Sequence, residues 1–267
     1  MKTEPWRKAL AAPIFAALQP ALERLDPARF PGHDELNALA NPSVVSGGGA
    51  PIRFVPPDPS KGPAARYEVR IFETGEVQTR PDNWHDLFNA LVWLAFPKTK
   101  AVLNRHHRSE IAARGGEAPR GTARDVLTLF DEGGVVVGAA DAGLAGLLRD
   151  HRWKELFWTR RADVRRRMRF HVFGHAIYEK ALAPYEGVTA KALILDASPE
   201  LLRGPIERQL AALDASAASY FSGKQALAST RSLAALPILG VPGWEPANER
   251  EEYYDDASHF RPGRARP

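Results

Sequence analysis

The 267-residue chain contains no cysteine. That excludes disulfides, a thiol nucleophile, and thiolate-bound zinc or iron–sulfur sites. No apolar run approaches the roughly 18 residues that a membrane-spanning helix needs. A glycine-rich phosphate loop followed by Lys-Ser or Lys-Thr is missing, which argues against a P-loop NTPase. Gly47-Gly48-Gly49 opens no helix with a dinucleotide fingerprint. A Gly-x-Ser-x-Gly elbow is also absent, which weakens an α/β-hydrolase reading. No internal repeat is visible.

What remains is ordinary globular composition, with 44% hydrophobic and 25% charged residues, so the chain has enough apolar surface to bury a core. At about 150 residues per domain, the length fits one large domain or two small ones. The net charge of +4 is too small by itself to mark a nucleic-acid binder, which needs a clustered basic face. The first 25 residues have basic and then apolar character. Glu4 and Pro13 interrupt the pattern of a secretory leader, and the segment continues as an amphipathic helix. The expected location is cytoplasmic.

Hydrophobic periodicity gives a coarse map. Residues 8–25 read as a helix broken at Pro20, 52–55 as a short strand, and 56–63 as a Pro-rich connector. Residues 67–80 alternate Tyr67, Val69 and Ile71 with polar neighbours around Thr74-Gly75, which predicts a β-hairpin. Asp82 or Asn83 caps a helix ending before Pro97. A second helix starts at Pro97 and stops at Gly115-Gly116, and a third covers 122–130. Val135, Val136 and Val137 read as a buried strand. Helices are expected at 141–150, 152–158 and 161–182, a strand or helix at 192–196, and a long helix at 199–219 disturbed by Pro205. The fold class is therefore α+β, predominantly helical, with a short hairpin near 67–80 and few other strands. The expected organisation is an N-terminal helix and loop (1–50) packed on a main helical domain (51–235). An extended Pro/Gly-rich tail (236–267) follows and ends in the disordered-looking RPGRARP.

Three groups of polar residues interrupt otherwise apolar helices. In NWHDLFNALVWLAFP, His85 and Asn89 share a face, and Asp86 sits in the first turn. Asp86 reads either as a dipole-satisfying carboxylate or as a ligand. On the next helix, His106 and His107 lie four and three residues before Glu110, spacings that can converge on one ion. Arg114 offers Glu110 an ordinary surface pair instead. His171 and His175, read on one helix, also stand four apart, with Glu179 extending the face and Gly174 allowing a close neighbour. Asp131 and Glu132 lie at a helix C-terminus, where the dipole disfavours negative charge. The most basic stretch, TRRADVRRRMRFH, supplies Arg165 and Arg169 as candidate anion contacts. Its alternative reading is a solvated face with Asp163 paired to Arg167.

The string RIFETGEVQTRPDNWHDLFNALVWLAFPKTKAVLN, with LTLFDEGG, HVFGHAIYEKAL and the stretch from LPILGVPGWEP to HFRPGR, resembles a bacterial family catalogued only as a domain of unknown function. The resemblance covers most of residues 50–264 and implies a single family domain. It implies no activity, cofactor or catalytic residue.

The residues thus point to a metal-dependent hydrolase for an anionic substrate, with a phosphorylated one among the options. His85, Asp86, His107, Glu110, His171 and His175 are the candidate ligands. Glu132 and Asp131 are the acid–base candidates, and Asn89, Arg165 and Arg169 the candidate substrate contacts. Without cysteine the donors are nitrogen and oxygen, suited to Zn, Mn or Fe. The alternatives are a non-catalytic nucleic-acid or anion-binding protein carried by the arginines, or a structural protein whose histidines are core polar groups. No membrane partner is expected.

Overall fold

The computed structural model describes residues 6–58, 67–113 and 122–263. The chain runs through α1 (Trp6–Ala9), α2 (Gln19–Leu22), α3 (His33–Leu39), β1 (Arg53–Val55), α4 (Tyr67–Thr74), β2 (Glu76–Gln78), α5 (Trp84–Ala95) and α6 (Pro97–Ala113). It continues with α7 (Thr122–Gly133), β3 (Gly134–Ala139), α8 (Ala142–Arg149), α9 (Arg161–Arg167), β4 (Met168–Val172) and α10 (His175–Ala181). Last come β5 (Thr189–Asp196), α11 (Pro199–Arg203), α12 (Ile206–Ser222) and β6 (Ala234–Pro237). Helices dominate, and the fold is α+β and predominantly helical. The C-terminal part of the Pro56–Pro63 connector, the Gly115-Gly116 stop and the end of RPGRARP lie outside the described residues.

The sheet has strand order β4-β3-β5-β6. β3 is its centre. It pairs antiparallel with β4 and parallel with β5, and all six of its residues are buried. A strand covered on both faces reads as a continuous apolar run, which is why Val135–Val137 was legible. Helices α7 and α12 pack against this sheet, and α6 packs against both. The long helix expected at 199–219 is two, α11 and α12, separated at Gly204-Pro205, because proline cannot accept helix geometry behind it.

Two expectations fail, each for a tertiary reason. Residues 67–80 do not form a hairpin. Tyr67–Thr74 is helix α4, which buries Ile71, and the Gly75 N–H bonds the Ile71 carbonyl at 2.9 Å. Gly75, at φ +74°, is the left-handed end of that helix and not a hairpin turn. A Cβ at Gly75 would stand 2.0 Å from the Pro51 carbonyl oxygen. The chain passes so close because β2 pairs parallel with β1, with Arg53 opposite Glu76.

The helix expected over 161–182 is also broken. Met168–Val172 leaves the helix to pair with the edge of β3, with Val136 opposite His171. The backbone groups of a buried central strand must be satisfied, and that requirement overrides local helix propensity. Gly174 then allows the chain to turn into α10 against the α7–β3 junction. A Cβ there would lie 2.5 Å from the Glu132 carbonyl oxygen and the Gly134 nitrogen.

Candidate metal centre

The antiparallel β3–β4 pair has consequences at its end. Glu132, two residues before β3, and His175, three after β4, emerge side by side. The Gly174 N–H bonds the Gly134 carbonyl at 2.8 Å and fixes this crossing. Helix α5 brings the third member. Asn83 caps α5 by accepting from the Asp86 N–H, so its first turn is rigid. Phe88 on α5 packs against Tyr178 of α10, ring centroids 5.5 Å apart. One turn earlier on both helices, the same packing sets His85 against His175.

The His85 and His175 Nε2 atoms are 3.1 Å apart, and Glu132 Oε2 lies 3.5 Å from His175 Nε2. One donor atom from each of the three residues falls within 4.8 Å of the others. Donors about 2.0–2.1 Å from a tetrahedral ion stand about 3.3 Å from one another, so these spacings suit a single cation. The far sides of the rings are also arranged. Glu179 Oε2 lies 3.0 Å from His85 Nδ1, which donates to it and turns the Nε2 lone pair inward. His175 Nδ1 faces Asp131, with a carboxylate oxygen at 3.9 Å. Burial pushes the His175 imidazole down to about 4, so the ring is neutral near pH 7 and its nitrogen is free to coordinate. Burial, and then the neighbouring Asp131, push the Glu132 carboxyl up.

Beneath the triad is a buried chain of polar groups. Lys100 Nζ donates to Asp131 at 2.6 Å and to Asn89 Oδ1 at 3.0 Å, and Asn89 Nδ2 donates to Tyr67 Oη at 3.0 Å. Burial alone would raise the Asp131 carboxyl, but the Lys100 charge and hydrogen bond, together with the neighbouring His175 and His107, outweigh it and hold Asp131 below the usual carboxylate range. The triad, Asp131, Asn89 and Tyr67 border a cleft of about 470 Å³. Its walls carry Glu68, Asp86, Asp131 and Glu132 against Arg80 and Arg124, an acidic surplus that favours a bound cation.

The residues singled out from sequence separate into two sets. His85, Asp86, Asn89, His107, Asp131, Glu132 and His175 line this cleft. Asp86 is not free to ligate, because Arg80 grips both its oxygens at 2.8 Å; burial pushes its carboxyl up, but the Arg80 hydrogen bonds and charge together hold it low. His107 is buried at the cleft but lies outside the three-donor cluster. Glu110, further along α6, does not line the cleft. His171 also stands apart, on β4, with Nε2 3.2 Å from Gln209 Oε1. The arginines are occupied elsewhere. Arg165 pairs with Glu249, and Arg169 donates to the Arg165 and Met168 carbonyls. Arg167 pairs with Asp141, and Asp163 instead takes Arg160 and Arg166. A stretch whose cations are consumed internally offers little to a nucleic acid.

Sequence reasoning missed Lys100, Tyr67 and Arg124. Lys100 was detectable, since it shares the buried stripe of α6 with Leu103, Asn104 and His107. The mistaken hairpin hid Tyr67.

His171 carries a prediction of its own. Gln209 donates its amide to the Leu202 and Gly204 carbonyls, so its oxygen must accept from His171 Nε2–H. Nδ1 is then bare, buried and without a partner. Burial pushes this imidazole down to about 4. The unfolded chain, at about 6.5, therefore takes up a proton that the fold refuses. Stability is full above pH 6.5 and falls as pH drops towards 4, by on the order of 3 kcal/mol for this group. In thermal melts from pH 7 to 4, His171→Gln is expected to lose clearly less stability than the parent. Equal slopes would show that His171 does not carry the effect.

No helix of the described residues is long and apolar enough to cross a membrane. The chain belongs to the DUF3025 family, described as a protein of unknown function, whose sequence model matches residues 52–264. No curated protein matches, and no solved structure does.

Proposed function

With a family that brings no activity as the premise, we propose that this protein is a metal-dependent hydrolase of anionic, phosphorylated substrates, built around one divalent cation on His85, Glu132 and His175. The observation that carries the reading is the convergence of three donor atoms from α5, α7 and α10 at the head of a cleft. Two imidazoles and one carboxylate leave coordination positions open, and Zn, Mn and Fe all accept such a donor set. A bound ion of this kind lowers the pKa of a coordinated water towards neutrality.

The chain's own groups do the rest. Glu179 fixes the His85 tautomer, and Asp131, anchored by Lys100, faces the back of His175. Arg124 has no ion-pair partner among the described residues and sits on the cleft wall, where it can meet a phosphoryl oxygen. Four wall carboxylates against Arg80, Arg124 and Lys100 leave the cleft one negative charge in surplus. A divalent ion reverses that sign, so an anionic substrate is admitted only by the loaded protein.

The test is hydrolysis of p-nitrophenyl phosphate and its bis ester by protein loaded with Zn, Mn or Fe. Turnover is expected that disappears with EDTA and in Glu132→Gln. A loaded protein that cleaves neither of these nor p-nitrophenyl acetate would remove the hydrolase reading while leaving the metal site standing.

A further inference from the structure

A second cavity, of about 1080 Å³, opens where the C-terminal end of α8, strands β5 and β6 and the segment after α12 meet. We propose that it binds a small phosphorylated polyanion, a ligand with two or more phosphoryl groups, distinct from anything bound in the metal cleft.

Charge is the first argument. Arg149, Lys191, Arg231 and Arg261 line the cavity, and Asp150 is its one carboxylate among the described residues. Among the described residues, Arg149, Lys191 and Arg231 have no ion-pair partner. This contrasts with the 160–169 arginines, which are paired within the protein. Lys191 is the most telling. It sits within β5, an interior strand of the sheet, half-buried between β3 and β6. Alternation along the strand puts Thr189, Lys191 and Leu193 on one face, and all three line the cavity. A half-buried lysine that faces a cavity with Asp150 as its one described carboxylate leaves positive charge available to an anion from outside the chain.

The backbone gives a second, independent argument. Helix α8 ends in a Schellman turn. The Arg152 N–H bonds the Leu147 carbonyl at 2.9 Å, and the His151 N–H bonds the Leu148 carbonyl at 3.3 Å. That geometry puts the residue after the cap in the left-handed region, where glycine is favoured. Here it is His151, at φ +59°. The strained position aims an imidazole into the cavity wall, stacked on Trp153 with centroids 5.0 Å apart. Burial, and then the positive charge of Lys191, push this imidazole down, with Asp150 opposing them, so the two basic groups stand close together at the cavity. Strain retained at a cavity rim is a mark of a site. The His151 ring and Tyr220 give a base or sugar surfaces to lie against, while the cations take the phosphates.

The test is isothermal titration of the full chain with pyrophosphate, ADP and ATP, in EDTA to keep the metal cleft empty. Saturable binding is expected, weakened at least tenfold in both Lys191→Glu and Arg231→Glu and unchanged in His175→Ala. His151→Gly relieves the left-handed strain, so it is expected to melt no lower than the parent and still bind the nucleotides less tightly. ADP and ATP binding more tightly than pyrophosphate would identify the ligand as a nucleotide. Equal affinities would identify it as the phosphates alone. Either outcome supports the site. Absence of saturable binding up to about 10 mM, affinity indifferent to both charge reversals, or binding lost in His175→Ala would overturn it.

Discussion

His175→Gln is expected to lower divalent-metal affinity by at least about 100-fold, measured as metal retained per chain after equilibrium dialysis. Even the groups that only orient a metal ligand are worth about 10–100-fold when removed, so loss of a ligand must exceed that. The two Nε2 atoms at 3.1 Å turn lone pairs towards one another unless a proton or a cation stands between them. Glu132, at 3.5 Å, supplies the third donor that a proton would not need. His85→Gln and Glu132→Gln are expected to behave like His175→Gln. Glu179→Gln leaves the ligands in place but weakens the anchor on His85 Nδ1, so an intermediate loss is expected. His107→Gln and His171→Gln are expected to retain the metal, because neither residue belongs to the three-donor cluster. Retention in His175→Gln with loss in His107→Gln would refute this ligand set.

The second large effect is expected at Lys100, and it is one of stability. Its side chain is 6% exposed and that of Asp131 17%, with 2.6 Å between the charged atoms. Such a pair contributes little compared with a well-packed apolar one, but breaking it strands the surviving charge. Lys100→Met removes the cation while filling most of its volume. Asp131 must then remain as a buried unpaired carboxylate or take up a proton, and Asn89 loses its donor as well. The expected cost is about 3–5 kcal/mol, which for a chain of this size lowers Tm by roughly 10 °C. The double variant Lys100→Met/Asp131→Asn carries no stranded charge and is expected to recover much of that loss. A single variant that melts within a degree or two of the parent would show that the pair is not buried as described.

These residues also show what a sequence can and cannot convey. The helical stripes of α5 and α6 and the valine run of β3 were legible because their patterns are local. Cap and core burial act there on the same few residues. So was the oddity of two carboxylates at the end of α7. The role of 168–172 was not legible, because it depends on a partner strand some thirty residues earlier in the chain. A periodicity argument cannot see that partner. The consequence for the site was specific. His171 and His175 were paired by helical spacing, yet a strand and a turn separate them, and only His175 reaches the cleft. The true neighbours of His175 are His85 and Glu132, which no spacing rule links. Thr74-Gly75 misled for a related reason: a glycine with positive φ ends a helix as readily as it turns a hairpin.

On the proposed reading, the placement of the three donors also bears on when an ion can be acquired. His85 and His175 are ninety residues apart in the chain. Glu132 and His175 come together only once β4 has docked on β3. A chain still emerging from the ribosome presents at most isolated histidines and carboxylates, each a weak ligand. Selection of the metal therefore falls to the finished fold. The ion that such a site would take depends on the compartment in which folding finishes, not on the ions present while the chain is being made.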